Sequence, residues 1–289
     1  MVIKGSFFNP EIFSYFQNKY KDLSITLFWD TLPRSKEDLS LNSYNMFLSH
    51  EPNEYFGIHS WLKDNYYLFD AVLSWDEITL SKCPNSIPFY CGWIFDWEYF
   101  TPTEKEFSVS FLSGVKNITY GHELRQKIYK SKDKINIPNK WYYTLKDFDH
   151  KFNVRPGYKE YSKDTSHIPK NINPEVYGKQ FLFDSMFHIA VENIKHNNYY
   201  SEKIHQCFLN KTLPIYWGCP NIDKLGYDIR GMYIFNTYQE LIDIVNKLTP
   251  ENYYEKLPYI EHNYQMAKQD TLKNKLNYVL DQIKILNDL

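Results

Sequence analysis

Residues 187–220, FHIAVENIKHNNYYSEKIHQCFLNKTLPIYWGCP, read as strand, polar loop, helix and strand. Phe187–Val191 is a short apolar run of β-compatible residues, and Glu192-Asn193 breaks it. After the loop Ile194–Tyr200, Ser201 is placed to cap a helix on which Ile204, Cys207 and Phe208 fall at i, i+3 and i+4. Asn210-Lys211-Thr212 turns the chain, and Leu213–Trp217 forms a second strand before Gly218-Cys219-Pro220. Strand, helix and strand within about 30 residues make a βαβ unit, so the two strands are expected to run parallel. Ligands of such sheets bind beyond the carboxyl ends of the strands. Glu192 and Asn193 stand at one such end, and the helix start with Glu202 and Lys203 stands beside it.

That helix start carries a chemical suggestion. Its open N–H groups and positive dipole end favour an anion, and Lys203 in the first turn adds a full charge. A phosphate is the natural guest. The Glu202 carboxylate would repel a phosphate and suits hydroxyls of a sugar or ribose instead. The competing reading is a surface helix with an acidic first turn and a solvated lysine.

The spaced pattern E-N at 192–193, Y-x-S-E-K at 199–203 and P-I-Y-W-G at 214–218 resembles the donor-binding signature of the α1,3-fucosyltransferases, glycosyltransferase family 10. The ten-residue step from Glu192 to Glu202 also fits members of that family. Ser201 stands where many relatives carry Thr, and Cys219-Pro220-Asn221 departs from the pattern. The resemblance implies an α/β protein of GT-B architecture, two Rossmann-like domains facing a cleft. It implies an inverting transfer of fucose from GDP-fucose to a hydroxyl of a glycan acceptor. On this reading Glu192, Asn193, Tyr199 and Glu202 position the ribose and the transferred sugar, and Lys203 meets the diphosphate. No metal is required, because the cationic side chains serve in its place.

Working outward, the first hundred residues alternate strand and helix signals, the mark of an open α/β sheet. Ile25–Trp29, Tyr44–Leu48 and Phe69–Trp75 read as strands, and Pro10–Tyr20 as a helix. Glu51 follows the second of these strands, and Pro52 removes any helical continuation. The stretches F-L-S-H-E-P and L-F-D-A-V-L-S-W-D-E resemble the region in which the family carries its base. The resemblance therefore implies that Glu51 deprotonates the acceptor hydroxyl. Glu54, three residues on, competes for that role, and His50 could orient Glu51.

Cys91–Glu106 reads as the linker between domains, and Phe107–Leu112 as the strand that opens the second one. Arg125 lies one turn into the helix His122–Tyr129. The family carries an arginine in a similar place, which implies a contact to the diphosphate. A guanidinium fork suits two phosphate oxygens better than an ammonium does. Lys179, ahead of a strand, is a further donor-site candidate by the same resemblance. Asp147-Phe148-Asp149 has the D-x-D form of a metal motif from another transferase fold, but it sits among lysines with no apolar strand before it. The expected organisation is residues 1–98 for the acceptor, 99–262 for the nucleotide sugar, and a C-terminal helix, 263–289, returning to the first domain.

Composition sets bounds on this reading. The 289 residues suffice for two domains of ordinary size. A hydrophobic content of 43% with 24% charged residues is that of a globular protein. A net charge of −2 argues against a nucleic-acid partner. No apolar run approaches the ~20 residues that span a bilayer, and the N-terminus lacks a signal-peptide core, so a cytoplasmic location is expected. Cys83, Cys91, Cys207 and Cys219 show no C-x-x-C spacing, which indicates neither zinc nor a redox pair. Two other functions stay open: a GT-B transferase using a different nucleotide sugar, and a carbohydrate-binding protein that keeps the fold without turnover.

Overall fold

The computed structural model describes all residues except 6–9, 34, 36, 37, 40, 41, 115, 145–179, 288 and 289. Lys179 and the Asp147-Phe148-Asp149 triplet lie outside the described residues. The chain divides into two units, the first comprising Met1–Cys91, Asn197–Tyr199 and Leu272–Leu289, the second Gly92–His196 and Tyr200–Thr271.

The first unit holds a five-stranded sheet in the order β1-β2-β3-β4-β5: Val2–Lys4, Ile25–Trp29, Tyr44–Leu48, Ala71–Ser74 and Ser86–Pro88. Every neighbouring pair is parallel. Strands β2 and β4 are buried along their whole length, as the apolar runs of a sheet covered on both faces require. The helices are α1 (Pro10–Lys19), α2 (Asn53–Phe56), α3 (Ile58–Asn65) and α4 (Glu77–Lys82). Phe28, Phe47, Ile58, Leu62, Phe69 and Val72 form a core between β2, β3, β4 and α3.

The second unit holds five parallel strands in the order β10-β9-β8-β6-β7. They are β6 (Glu106–Gly114), β7 (Asn139–Thr144), β8 (Ser185–Val191), β9 (Leu213–Trp217) and β10 (Tyr233–Ile234). Helix α5 (Tyr120–Tyr129) follows β6, and α6 (Glu202–Leu209) connects β8 to β9. The βαβ unit read from residues 187–220 is present, with Phe187 paired to Leu213 and Val191 to Trp217. Val109, Phe111, Ile189 and Ile215 on the sheet pack with Leu124 and Ile128 of α5 and Leu241 and Val245 of α7 (Tyr238–Val245). Short α8 (Pro250–Glu255) leads into α9 (Leu257–Gln269).

The domain boundaries differ from the sequence expectation. The chain passes between units at Cys91/Gly92 and at Thr271/Leu272, rather than at 98/99 and 262/263, and Asn197–Tyr199 is a short return to the first unit. The stretch read as one C-terminal segment is two helices: α9 ends at Gln269, in the second unit, and α10 (Leu272–Asn287) belongs to the first. Asp270 makes the break. Its carboxylate accepts the hydroxyls of Tyr200 and Tyr227, and its carbonyl accepts the Gly92 N–H, so the residue is held out of helical continuation. In the first unit α10 buries Leu272, Leu276 and Leu280, and Tyr20 binds Asn277 and Asp281 at 2.9 and 2.8 Å.

Candidate functional site

In the second unit the site grows from the end of β8. The Glu192 N–H donates to the Trp217 carbonyl at 2.9 Å, which continues the β8–β9 ladder one residue past the strand. The Glu192 side chain is 0% exposed. One of its oxygens accepts the Ser201 backbone N–H at 2.9 Å, the other the Ser201 hydroxyl at 2.6 Å. Ser201 caps α6, its hydroxyl accepting the Lys203 N–H. The Lys203 ammonium lies 3.0 Å from that hydroxyl, 3.3 Å from Glu202 and 3.7 Å from Glu192. Burial pushes the Glu192 carboxyl up, and Lys203 and the two Ser201 bonds oppose that shift.

Glu192 was expected to bind ribose or sugar, but it is enclosed and both oxygens are engaged by Ser201. Gly218 allows the enclosure: a Cβ there would lie 2.5 Å from the Glu192 Cγ and 2.3 Å from the Tyr216 hydroxyl. A glycine before Cys219 is therefore a packing requirement.

Helix α5 brings a second set of groups to the same strand ends. Gly121 donates its N–H to the Asn193 carbonyl at 3.1 Å, and a Cβ on it would stand 1.9 Å from the Glu192 carbonyl oxygen. That close approach lets Arg125, one turn on, reach across β8. Its guanidinium donates to the Val191 carbonyl at 2.5 Å and to the Asn193 side chain at 3.0 Å. Arg125 and Asn193 are each 9% exposed. The arginine expected to meet a diphosphate thus also ties α5 to the end of β8.

His122 went unnoticed in the sequence. Its Nδ1 accepts the Thr119 N–H at 3.2 Å in a capping box, so the ring proton sits on Nε2. Burial, then Arg125, Lys203 and Lys116, hold its pKa down to about 2. Three cationic side chains therefore act on one buried imidazole. The sequence signal for His122 was Thr119 three residues ahead of it, the spacing of a capping box.

In the first unit Glu51 stands just beyond β3 and is partly exposed. Its loop is fixed from three sides. Asp30, at the end of β2, accepts the N–H groups of His50 and Glu51 on one oxygen at 2.8 and 3.1 Å. The His59 Nε2 lies 3.2 Å from the Glu51 carbonyl, and the Trp75 indole donates to the His50 carbonyl at 2.9 Å. His50 also faces the second Asp30 oxygen, 3.4 Å from its Nδ1. Glu54 instead lies exposed in the first turn of α2. Tyr199 belongs to the first unit, 1% exposed, its ring 4.8 Å from that of Trp75. Among the described residues no group of three or more His, Cys, Asp or Glu side chains could hold a metal ion. No helix among them is long and apolar enough to cross a membrane.

Two units, each with a parallel sheet carrying helices, define the GT-B fold of glycosyltransferases. The chain superposes on a crystal structure of an α1,3-fucosyltransferase with a TM-score of 0.56 and 16% identity, over 100% of this chain and 90% of the other. It superposes on HepE of Anabaena, solved with UDP and glucose, with a TM-score of 0.53 and 11% identity, over 97% and 82% of the two chains. In sequence it is 31% identical over 83 residues to an α-(1,3)-fucosyltransferase of Helicobacter pylori. That match spans 28% of this chain and 17% of the length of the curated relative. No family model matches the chain. The resemblance to glycosyltransferase family 10 thus holds over a segment, and the GT-B fold holds over the chain.

Proposed function

We propose that the protein is an inverting glycosyltransferase that moves fucose from GDP-fucose to a hydroxyl of a glycan acceptor. The observation that carries this reading is that Arg125 of α5 and Lys203 of α6 both meet residues 191–193 at the end of β8. The partial match to an α-(1,3)-fucosyltransferase supports the choice of sugar. The second unit takes the donor, with Lys203 and the first turn of α6 meeting the diphosphate. Fixed cationic and N–H groups there stabilise the charge that develops as GDP departs. Arg125 adds charge to the same region and holds Asn193, while Glu202 receives hydroxyls of the donor.

The first unit takes the acceptor. Glu51 removes the proton from the acceptor hydroxyl as that oxygen attacks the anomeric carbon and the bond to GDP breaks. The braced backbone of Glu51, contrasted with the exposed helical setting of Glu54, supports this choice. A positioned base of this kind contributes ~10²–10⁴-fold. A second reading, a transferase using another nucleotide sugar, draws on the fold shared with a protein solved with UDP and glucose. Incubation with GDP-fucose and with UDP-glucose, each with a panel of glycan acceptors, separates the two. Release of GDP with a fucosylated product supports the first, and transfer from the uridine donor alone replaces it by the second.

A further inference from the structure

We propose that Glu192 is a positioning residue: its buried carboxylate sets Lys203 and the cap of α6 for the diphosphate and does not itself touch the donor. The inference rests on the nucleotide-sugar reading above and gives that site its internal support.

Three observations carry it. First, the carboxylate is inaccessible, at 0% exposure, and its two oxygens close a ring with the backbone N–H and hydroxyl of one residue, Ser201. A bound ligand could reach it only by breaking both bonds. Second, the oxygen that accepts the Ser201 hydroxyl also lies 3.7 Å from the Lys203 ammonium, and that ammonium is 3.0 Å from the same hydroxyl. Glu192, Ser201 and Lys203 thus form a triangle in which each side chain limits the other two. Third, the carboxylate cannot withdraw. The backbone of Glu192 is fixed by the Trp217 carbonyl, and its Cγ packs where Gly218 leaves no room for a Cβ.

Energetics point the same way. A buried carboxylate is costly unless it is hydrogen-bonded and paired, and the compensation here comes from the residue that caps α6 and the lysine in its first turn. A half-exposed lysine on a helix start would sample many rotamers; tethered to the Ser201–Glu192 pair, it is held ready for an anion.

The test is a double-mutant cycle on GDP affinity, measured by calorimetric titration of wild type, E192Q, K203A and E192Q/K203A. Glutamine preserves the shape and the acceptor for the Ser201 N–H while removing the charge. The expected result is at least a ~10-fold loss of GDP affinity in E192Q, a comparable or larger loss in K203A, and a double variant within about twofold of K203A. Independent losses that multiply in the double variant would overturn the inference, because a merely structural Glu192 acts whether or not Lys203 is present. Unchanged affinity in E192Q would overturn it as well. Should E192Q fail to fold, S201A supplies the second variant, since it cuts the same triangle at the hydroxyl and is expected to be non-additive with K203A in the same way. Wild type that binds GDP normally beside an E192Q that also does so removes only this inference. Wild type that binds no nucleotide removes the transferase reading and this inference with it.

Discussion

Glu51 and Glu54 are three residues apart and chemically alike, yet their surroundings differ in kind. The N–H and carbonyl of Glu51 are held by Asp30 and His59, whereas Glu54 lies exposed on the first turn of α2. A base must be held in position, so E51Q is expected to lower kcat by ~10²–10⁴-fold with GDP affinity unchanged, and E54Q to change kcat less than about threefold. Steady-state kinetics with GDP-fucose checks both, and the reverse pattern would move the base to Glu54.

His122 makes a second prediction, in pH. The folded protein holds it at about 2 against an ordinary 6.5, through burial and the cations Arg125, Lys203 and Lys116. As pH falls through about 6.5 the unfolded chain gains a proton there and the folded protein does not. The associated stability is present in full above that value and lost below it, by up to about 1.4 kcal/mol per pH unit. Urea unfolding at about pH 7.5 and about pH 5.5 should show wild type losing roughly 1 kcal/mol more than H122Q over that interval. Equal losses would contradict the assignment.

At the scale of elements, α5 and α6 are positioned by glycines at close approaches. A Cβ at Gly121 would stand 1.9 Å from the Glu192 carbonyl oxygen and 2.5 Å from that of Asn193, both backbone atoms. G121A is therefore expected to push α5 off the end of β8 and to cost about 1–3 kcal/mol, seen as a lower Tm with weakened GDP binding. An unchanged Tm would show that α5 does not need this contact. Much of this level was legible in the sequence. Phe187–Val191 and Leu213–Trp217 read as buried parallel strands because apolar residues dominate both runs, and Ser201 marked the start of α6. The placement of Glu192 was not legible. A glutamate at a strand end reads as exposed by its polarity, and its burial depends on Ser201 nine residues on and Gly218 beyond β9. The Asp30 brace on Glu51 was hidden for the same reason, since it is made by the pairing of β2 with β3.

For the whole molecule, the passage of the chain at Thr271/Leu272 matters most. Periodicity carried a helical signal through residues 263–289, and nothing local announced that Asp270 would be engaged by Tyr200 and Tyr227. The consequence is that α10 belongs to the first unit, where Tyr20 binds Asn277 and Asp281. Y20F should cost about 1 kcal/mol of stability in thermal unfolding without altering GDP affinity, because that contact is made within the first unit and the groups proposed to hold GDP belong to the second. A loss of GDP affinity in Y20F would tie α10 to the donor site.

On the proposed function, the second unit binds a guanosine diphosphate sugar through Lys203. Thermal melting of wild type and K203A with GDP, UDP and CMP tests it most directly. A nucleotide at about 100 times its Kd adds about 2.7 kcal/mol, enough to move the transition. The predicted result is that GDP raises the Tm of wild type more than UDP or CMP does, and that the shift shrinks in K203A. A shift from UDP or CMP alone, or a GDP shift equally large in K203A, would contradict it.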